Sequence, residues 1–131
     1  MFALIQNGEV FAPEAAGRIS VLAVGEKIAR LGTMDRAAIE DVGLGLETLD
    51  ATDAFVFPGL VDPHQHLIGG SGESGFATLT PEIQLQELVR GGITTVVGCL
   101  GVDTTTRTMP ALLAKAKSLR AEGLSAYVYT G

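Results

Sequence analysis

The sequence predicts an α/β fold in which a small antiparallel β segment, residues 1–55, precedes strands and helices of a parallel sheet, residues 56–131. Two observations support this division. Before the boundary, short apolar stretches alternate with turn residues, as in hairpins. After it, apolar strands alternate with segments of helical periodicity, and residues 93–100 are β-branched and nearly unbroken, as expected of a parallel strand buried on both faces.

The first segment predicts two hairpins. Asn7-Gly8 is a strong two-residue turn signal between residues 2–6 and 9–11. Gly25-Glu26 separates two apolar stretches within residues 19–31 in the same way. A short helix or loop and a further strand complete the segment, at residues 34–42 and 46–49.

The second segment opens with an apolar strand at residues 55–62. Thr80-Pro81-Glu82 predicts a helix start, with Thr80 as N-cap and proline at the first helical position. Apolar residues then follow at positions i, i+3 and i+4, and a glycine pair ends the helix. These residues are Leu85, Leu88, Val89 and Gly91-Gly92.

A strand at residues 93–100 leads to a second helix, which begins near Pro110 and ends at Gly123. Its predicted buried face contains Leu112, Ala116 and Leu119, and residues 124–130 form a third strand. This order predicts right-handed βαβ units in a parallel sheet. A (β/α)₈ TIM barrel needs about 250 residues, so we expect only the amino-terminal part of a barrel, incomplete in this chain.

Composition excludes several classes of function. The 131 residues are 47% apolar, which is enough for a real core, and the net charge of −6 without a basic run argues against a nucleic-acid partner. The sequence shows no signal peptide and no apolar stretch of membrane-spanning length. A single cysteine, Cys99, cannot form an internal disulfide. We therefore expect a cytoplasmic protein without membrane contact.

His64 and His66 are the only histidines, and they lie at the carboxyl end of the first predicted strand. Side chains at i and i+2 of an extended chain point to the same side, so both imidazoles could reach one metal ion. Barrels place catalytic groups at this end of their strands. The alternative is that two exposed loop histidines lie close together by chance.

Residues 58–66, Pro-Gly-Leu-Val-Asp-Pro-His-Gln-His, resemble the opening motif of the amidohydrolase superfamily. Residues 66–75, with their glycine-rich Gly-Gly-Ser-Gly-Glu run, and residues 96–101 are similar to those of isoaspartyl (β-aspartyl) dipeptidases. The first 55 residues resemble the small β-sandwich of these enzymes.

The resemblance implies that His64 and His66 bind the more buried ion of a two-zinc pair. Zinc lowers the pKa of a bound water and polarises the scissile carbonyl. In the family a carboxylated lysine, further histidines and a catalytic aspartate come from later strands. No catalytic residue is therefore expected within this segment.

The resemblance also implies substrate-binding residues. Ser71, Gly72 and Glu73 match the loop that holds the charged end groups of the substrate, and Glu73 could pair with an α-ammonium. The alternative for Glu73 is an ordinary solvated acid. Val102 matches a position where relatives have threonine, so only a backbone contact could be retained there.

Four other residues have simpler interpretations. Asp62 could orient an imidazole or cap the backbone of the loop. Cys99 is expected to be a small core residue rather than a nucleophile. Tyr127 and Tyr129 are expected to pack within the barrel.

The leading hypothesis is a zinc metallo-dipeptidase that cleaves the isopeptide bond of β-aspartyl dipeptides and forms a homo-oligomer when complete. One alternative is another amidohydrolase, of the dihydroorotase, hydantoinase or N-acyl amino acid deacylase type. The other is that these 131 residues are a non-catalytic fragment that binds metal weakly or only assembles with other segments, because zinc sites ordinarily have three or four protein ligands.

Overall fold

The computed structural model describes residues 1–70, 72–103 and 105–130. The chain divides into two compact units, Met1–Pro58 and Gly59–Gly131, and the boundary expected near Phe55 lies close to this division. Within the described ranges, no helix is long and apolar enough to cross a membrane.

The first unit consists almost entirely of β-strands. In chain order it contains β1 (Phe2–Gln6), β2 (Glu9–Phe11), β3 (Ala15–Arg18), β4 (Ser20–Val24), β5 (Lys27–Gly32), α1 (Arg36–Glu40), β6 (Leu46–Asp50) and β7 (Phe55–Val56). The strands form a four-stranded sheet of order β5-β4-β1-β6 and a three-stranded sheet of order β3-β2-β7.

The hairpin predicted across Asn7-Gly8 is wrong. Both edges of β1 are occupied, by antiparallel β4 and parallel β6, so β2 pairs with β3 and β7 in the other sheet. Asn7 does adopt a turn conformation with φ of 68°, but the turn carries the chain between two sheets. The β4–β5 hairpin is confirmed, with Gly25 at a φ of 60°. The unit is therefore mixed rather than purely antiparallel.

The second unit alternates strands and helices as the sequence predicts. It contains β8 (Leu60–Gln65), a 3₁₀ turn (Phe76–Thr78), α2 (Leu85–Arg90), β9 (Ile93–Gly98), α3 (Met109–Ala121) and β10 (Ser125–Val128). The sheet order is β10-β9-β8, and both pairings are parallel. The carboxyl ends of all three strands consequently lie along one edge of the sheet.

The core of this unit lies between the sheet and its helices. The predicted face of α3 is confirmed, since Leu112, Ala116 and Leu119 are all buried. Tyr127 and Tyr129 are 55% and 49% exposed, and their packing within a complete barrel stays a prediction. The fully or nearly fully buried cluster comprises Leu67, Leu88, Val96, Leu112, Ala116, Leu119, Leu124 and Ala126.

Helix α2 begins later than predicted. Its N-cap is Gln84, whose backbone N–H donates to the Glu87 carboxylate at 2.8 Å in a capping box. The hydroxyl of Thr80 instead accepts a hydrogen bond from the Gly70 N–H at 2.8 Å. Thr80 is thus used to close a loop and does not cap the helix.

Candidate metal centre

The two histidines lie where β8 leaves its regular pairing with β9. The register shifts between Asp62 and Gln65, so the chain bulges at this point. His64 is exposed and His66 is partly buried, and their ring centroids lie 5.4 Å apart at an interplanar angle of 77°. The structure therefore brings the two imidazoles together, as their spacing predicts.

Cys99 contributes a third metal-ligating group at the same place. Its Sγ lies 3.8 Å from Nδ1 and 4.0 Å from Nε2 of His66. One ligand atom from each of His64, His66 and Cys99 can be chosen so that all three lie within 4.8 Å of one another. Cys99 is 7% exposed, as expected of a core residue. The contact of its thiol with the His66 ring was not expected.

A signal for Cys99 was present in the sequence. Cys99 follows β9 as His66 follows β8, and the ends of neighbouring parallel strands meet. The Cys99 N–H donates to the Gln65 carbonyl at 3.0 Å, which fixes the two chain segments side by side. Burial, and secondarily the negative charge of Asp62, raise the pKa of the Cys99 thiol. A raised pKa disfavours the thiolate form, which argues against a nucleophile.

Side chains of β8 hold the bulged backbone. The Asp62 carboxylate accepts a hydrogen bond from the His64 N–H at 3.0 Å, which favours the backbone-capping interpretation of this residue. The side-chain oxygen of Gln65 accepts from the His66 N–H at 3.0 Å. Both histidine backbones are therefore restrained by neighbouring polar side chains.

Two glycines flank the His66 ring. A Cβ atom added at Gly70 would lie 2.6 Å from Cγ of His66, which is closer than real Cβ contacts. A Cβ atom at Gly101 would lie 3.5 Å from the ring, an ordinary contact distance. The position of the imidazole therefore depends on the absence of a side chain at Gly70.

Gly70→Ala is accordingly expected to displace the imidazole and weaken Zn²⁺ binding by about 10-fold or more, the range seen when the groups that orient a ligand are disturbed. Gly101→Ala is the matched control and should change the affinity little. Isothermal titration of both variants with Zn²⁺ measures the difference. Equal affinities in the two variants would contradict the prediction.

A buried ion pair fixes the loop that follows His66. The Arg107 guanidinium donates to the carbonyls of Ile68 at 2.8 Å and Thr80 at 3.0 Å, and pairs with the Asp103 carboxylate at 3.3 Å. The two charged side chains are 15% and 4% exposed. Arg107 thus ties the chain around Ile68 to the chain around Thr80. Thr104 lies outside the described residues.

The Asp103 carboxylate is itself strongly stabilised in its charged form. Hydrogen bonds from the Thr106 side chain and backbone, with smaller contributions from Thr105 and Arg107, lower the pKa of Asp103 from 3.8 to about 2. A carboxyl group whose pKa is lowered by folding stabilises the native state above its unfolded pKa, and this contribution disappears as the pH falls through the folded value.

Asp103→Asn should therefore destabilise the chain above pH 3.8, and the difference from wild type should shrink as the pH approaches about 2. Urea midpoints measured across this range test the expectation. A difference that stays constant with pH would show that Asp103 does not act through its charge.

The predicted substrate-binding residues are only partly brought together. Gly72 and Val102 line one small cavity of about 180 Å³, and Val102 is 58% exposed. Glu73 is exposed, and Ser71 lies outside the described residues. His66 lines a separate cavity of about 400 Å³, together with Glu82 and Glu87, neither of which was predicted from the sequence to belong to a site.

Comparisons with known proteins identify the class first. No family model matches the chain. An allantoinase from Salmonella gallinarum is 35% identical over 96 residues, which cover 72% of this chain and 18% of the relative. The structure of a dihydropyrimidinase from Brevibacillus agri NCHU1002 has a TM-score of 0.62 and 26% identity, with 89% of this chain and 24% of the other covered. The resemblance to the amidohydrolase superfamily is confirmed.

The narrower resemblance is confirmed as well. The structure of a β-aspartyl dipeptidase from Fervidobacterium islandicum AW-1 matches with a TM-score of 0.91 and 44% identity over 100% of this chain. The same enzyme in complex with the β-Asp-Leu dipeptide matches with a TM-score of 0.89 at 44% identity, again over 100% of this chain. The chain spans about a third of the dipeptidase structures, 35% and 33% respectively.

Proposed function

We propose that this chain forms the β-sandwich segment and the opening strands of a (β/α)₈ barrel in a metal-dependent β-aspartyl dipeptidase, a cytoplasmic homo-oligomer acting on small dipeptides. The observation that carries the proposal is the convergence of His64 and His66 at the carboxyl end of a parallel strand. The similarity of the whole chain to the Fervidobacterium enzyme supports it. In this proposal no catalytic residue lies within the 131 residues.

The residues present fit a metal ion. His64 and His66 offer imidazole nitrogen ligands a few ångströms apart, in a setting where Gly70 and Gly101 leave room around the His66 ring. Zinc, two ions per complete site, would lower the pKa of a bound water and polarise the scissile carbonyl. The contribution of this chain is to hold and orient two ligands through the backbone bonds from Asp62 and Gln65.

Specificity for an isoaspartyl substrate is assigned to the loop after His66. The carboxylate of exposed Glu73 would pair with the α-ammonium of the substrate. Gly72, whose φ is 103°, allows close backbone approach, and Val102 lines the same cavity. Ser71 is retained in this role by the resemblance alone.

A cyclic-amide hydrolase is the second candidate. The similarities to an allantoinase and to a dihydropyrimidinase favour it, although the identities of 35% and 26% are lower than the 44% of the dipeptidase. The two functions differ in what they require of Glu73. A cyclic amide carries no free ammonium for that carboxylate to bind.

A chimeric enzyme tests the choice. Residues 1–131 would replace the matching 35% of the Fervidobacterium dipeptidase, and release of leucine from β-Asp-Leu would be measured with and without a chelator. We expect metal-dependent hydrolysis, which Glu73→Gln weakens mainly through a raised KM. Glu26→Gln, at an exposed turn of the first unit, is the matched control and should leave KM unchanged.

The outcomes separate the candidates. A folded chimera that does not release leucine, while the parent enzyme does, would reject the dipeptidase assignment for these residues. Unchanged KM in Glu73→Gln would reject the ammonium-binding role and favour the cyclic-amide alternative. The 131-residue chain assayed by itself should bind metal without turnover, because the remaining ligands and the catalytic aspartate are expected elsewhere.

A further inference from the structure

We propose that Cys99 is a third ligand of the metal held by His64 and His66, so that this chain carries a two-imidazole, one-thiolate site. The inference rests on the proposed function only in assuming that the two histidines bind an ion. It adds a ligand that the sequence analysis assigned to the core.

Distances support this ligand set. In tetrahedral zinc sites with Zn–N of about 2.0–2.1 Å and Zn–S of about 2.3 Å, ligand atoms lie about 3.3–3.6 Å from one another. The Cys99 Sγ already lies 3.8 Å from Nδ1 of His66, and a ligand-atom set from all three residues fits within 4.8 Å. Small side-chain rotations would bring the three to bonding distance of one ion.

The backbone restrains the thiol in this place. The hydrogen bond from the Cys99 N–H to the Gln65 carbonyl joins the chain just after β9 to the last residue of β8. Cys99 is 7% exposed, so its sulfur faces the interior of the unit and the His66 ring.

The chemistry of the three side chains is consistent with this ligand set. Zinc is bound by cysteine thiolate as well as by histidine nitrogen. Binding would release the thiol proton to solvent, and the positive charge of the bound dication would compensate for the negative charge of the buried thiolate. A thiolate with imidazoles selects Zn²⁺ or Co²⁺ over Mg²⁺, Ca²⁺ and Mn²⁺.

Cobalt titration of the 131-residue chain provides the test. Tetrahedral Co²⁺ bound to nitrogen gives visible d–d bands, whereas a thiolate ligand adds a charge-transfer band in the near ultraviolet. Cys99 is the only cysteine in the sequence, so the second band can come from no other sulfur. We expect both bands in the wild-type chain, and neither with Mg²⁺ alone.

The variants separate the two proposals. Cys99→Ser should lose the near-ultraviolet band, keep weakened visible bands and bind Co²⁺ about 10-fold or more weakly. Visible bands without a near-ultraviolet band in the wild-type chain would overturn the role of Cys99 and leave the histidine site standing. The wild-type spectrum decides this even if Cys99→Ser folds poorly. Absence of both bands would overturn the thiolate ligand together with the metal site, while β-Asp-Leu hydrolysis by the chimera remains a separate readout.

Discussion

Replacing His66 with alanine is expected to lower the affinity of the chain for Zn²⁺ by more than about 100-fold, since loss of the groups that merely orient a ligand already costs about 10- to 100-fold. His66 is the centre of the cluster, because its ring contacts the Cys99 sulfur and lies 5.4 Å from the His64 ring. Without the His66 ring, only the exposed imidazole of His64 and the buried thiol of Cys99 would remain in the cluster.

Isothermal titration with Zn²⁺ and a chelator competition measure this loss. The net charge of −6 means that exposed acids could bind zinc weakly, so Asp41→Asn serves as a control that should not change the affinity. Circular dichroism would verify that His66→Ala keeps its secondary structure. Tight stoichiometric zinc in His66→Ala would place the metal elsewhere in the molecule.

Leu112→Ala is expected to destabilise the second unit by about 2 to 5 kcal/mol, the range for truncating a fully buried leucine. Leu112 has 0% exposure on the inner face of α3 and belongs to the cluster beneath the sheet. Gly98 leaves space for it, since a Cβ atom there would lie 3.0 Å from the Leu112 side chain. A cavity at this point would lie directly below the end of β9.

Leu113→Ala is the matched control, because the neighbouring leucine on the same helix is 42% exposed and should lose about 1 kcal/mol or less. The chain has no tryptophan, and its two tyrosines, Tyr127 and Tyr129, both lie in the second unit. Tyrosine fluorescence during urea unfolding therefore reports on that unit alone. Equal midpoints for the two variants would show that α3 does not anchor the core.

Periodicity and spacing predict the features that depend on local sequence. The inner face of α3 follows from apolar residues at helical intervals, and the parallel order of β8, β9 and β10 follows from the strand–helix alternation. The approach of His64 to His66 follows from their separation by two residues on an extended chain.

Features that depend on contacts distant in sequence are not predictable in this way. Asn7-Gly8 has the composition of a hairpin turn, yet β1 already has partners on both edges. Thr80 has the composition of an N-cap, yet its hydroxyl bonds Gly70, ten residues earlier. Cys99 approaches His66 across 33 residues of sequence, so its part in the cluster follows from the pairing of β8 with β9 and not from a local pattern.

The flanking of the His66 ring by Gly70 and Gly101 also bears on attempts to transplant this centre into another protein. Copying only the three donor side chains onto a new scaffold would provide the right ligand atoms but would not keep the imidazole in place. Any residue larger than glycine at the position of Gly70 would collide with the His66 ring. The transferable unit is therefore the donors together with the residue whose missing side chain makes room for them.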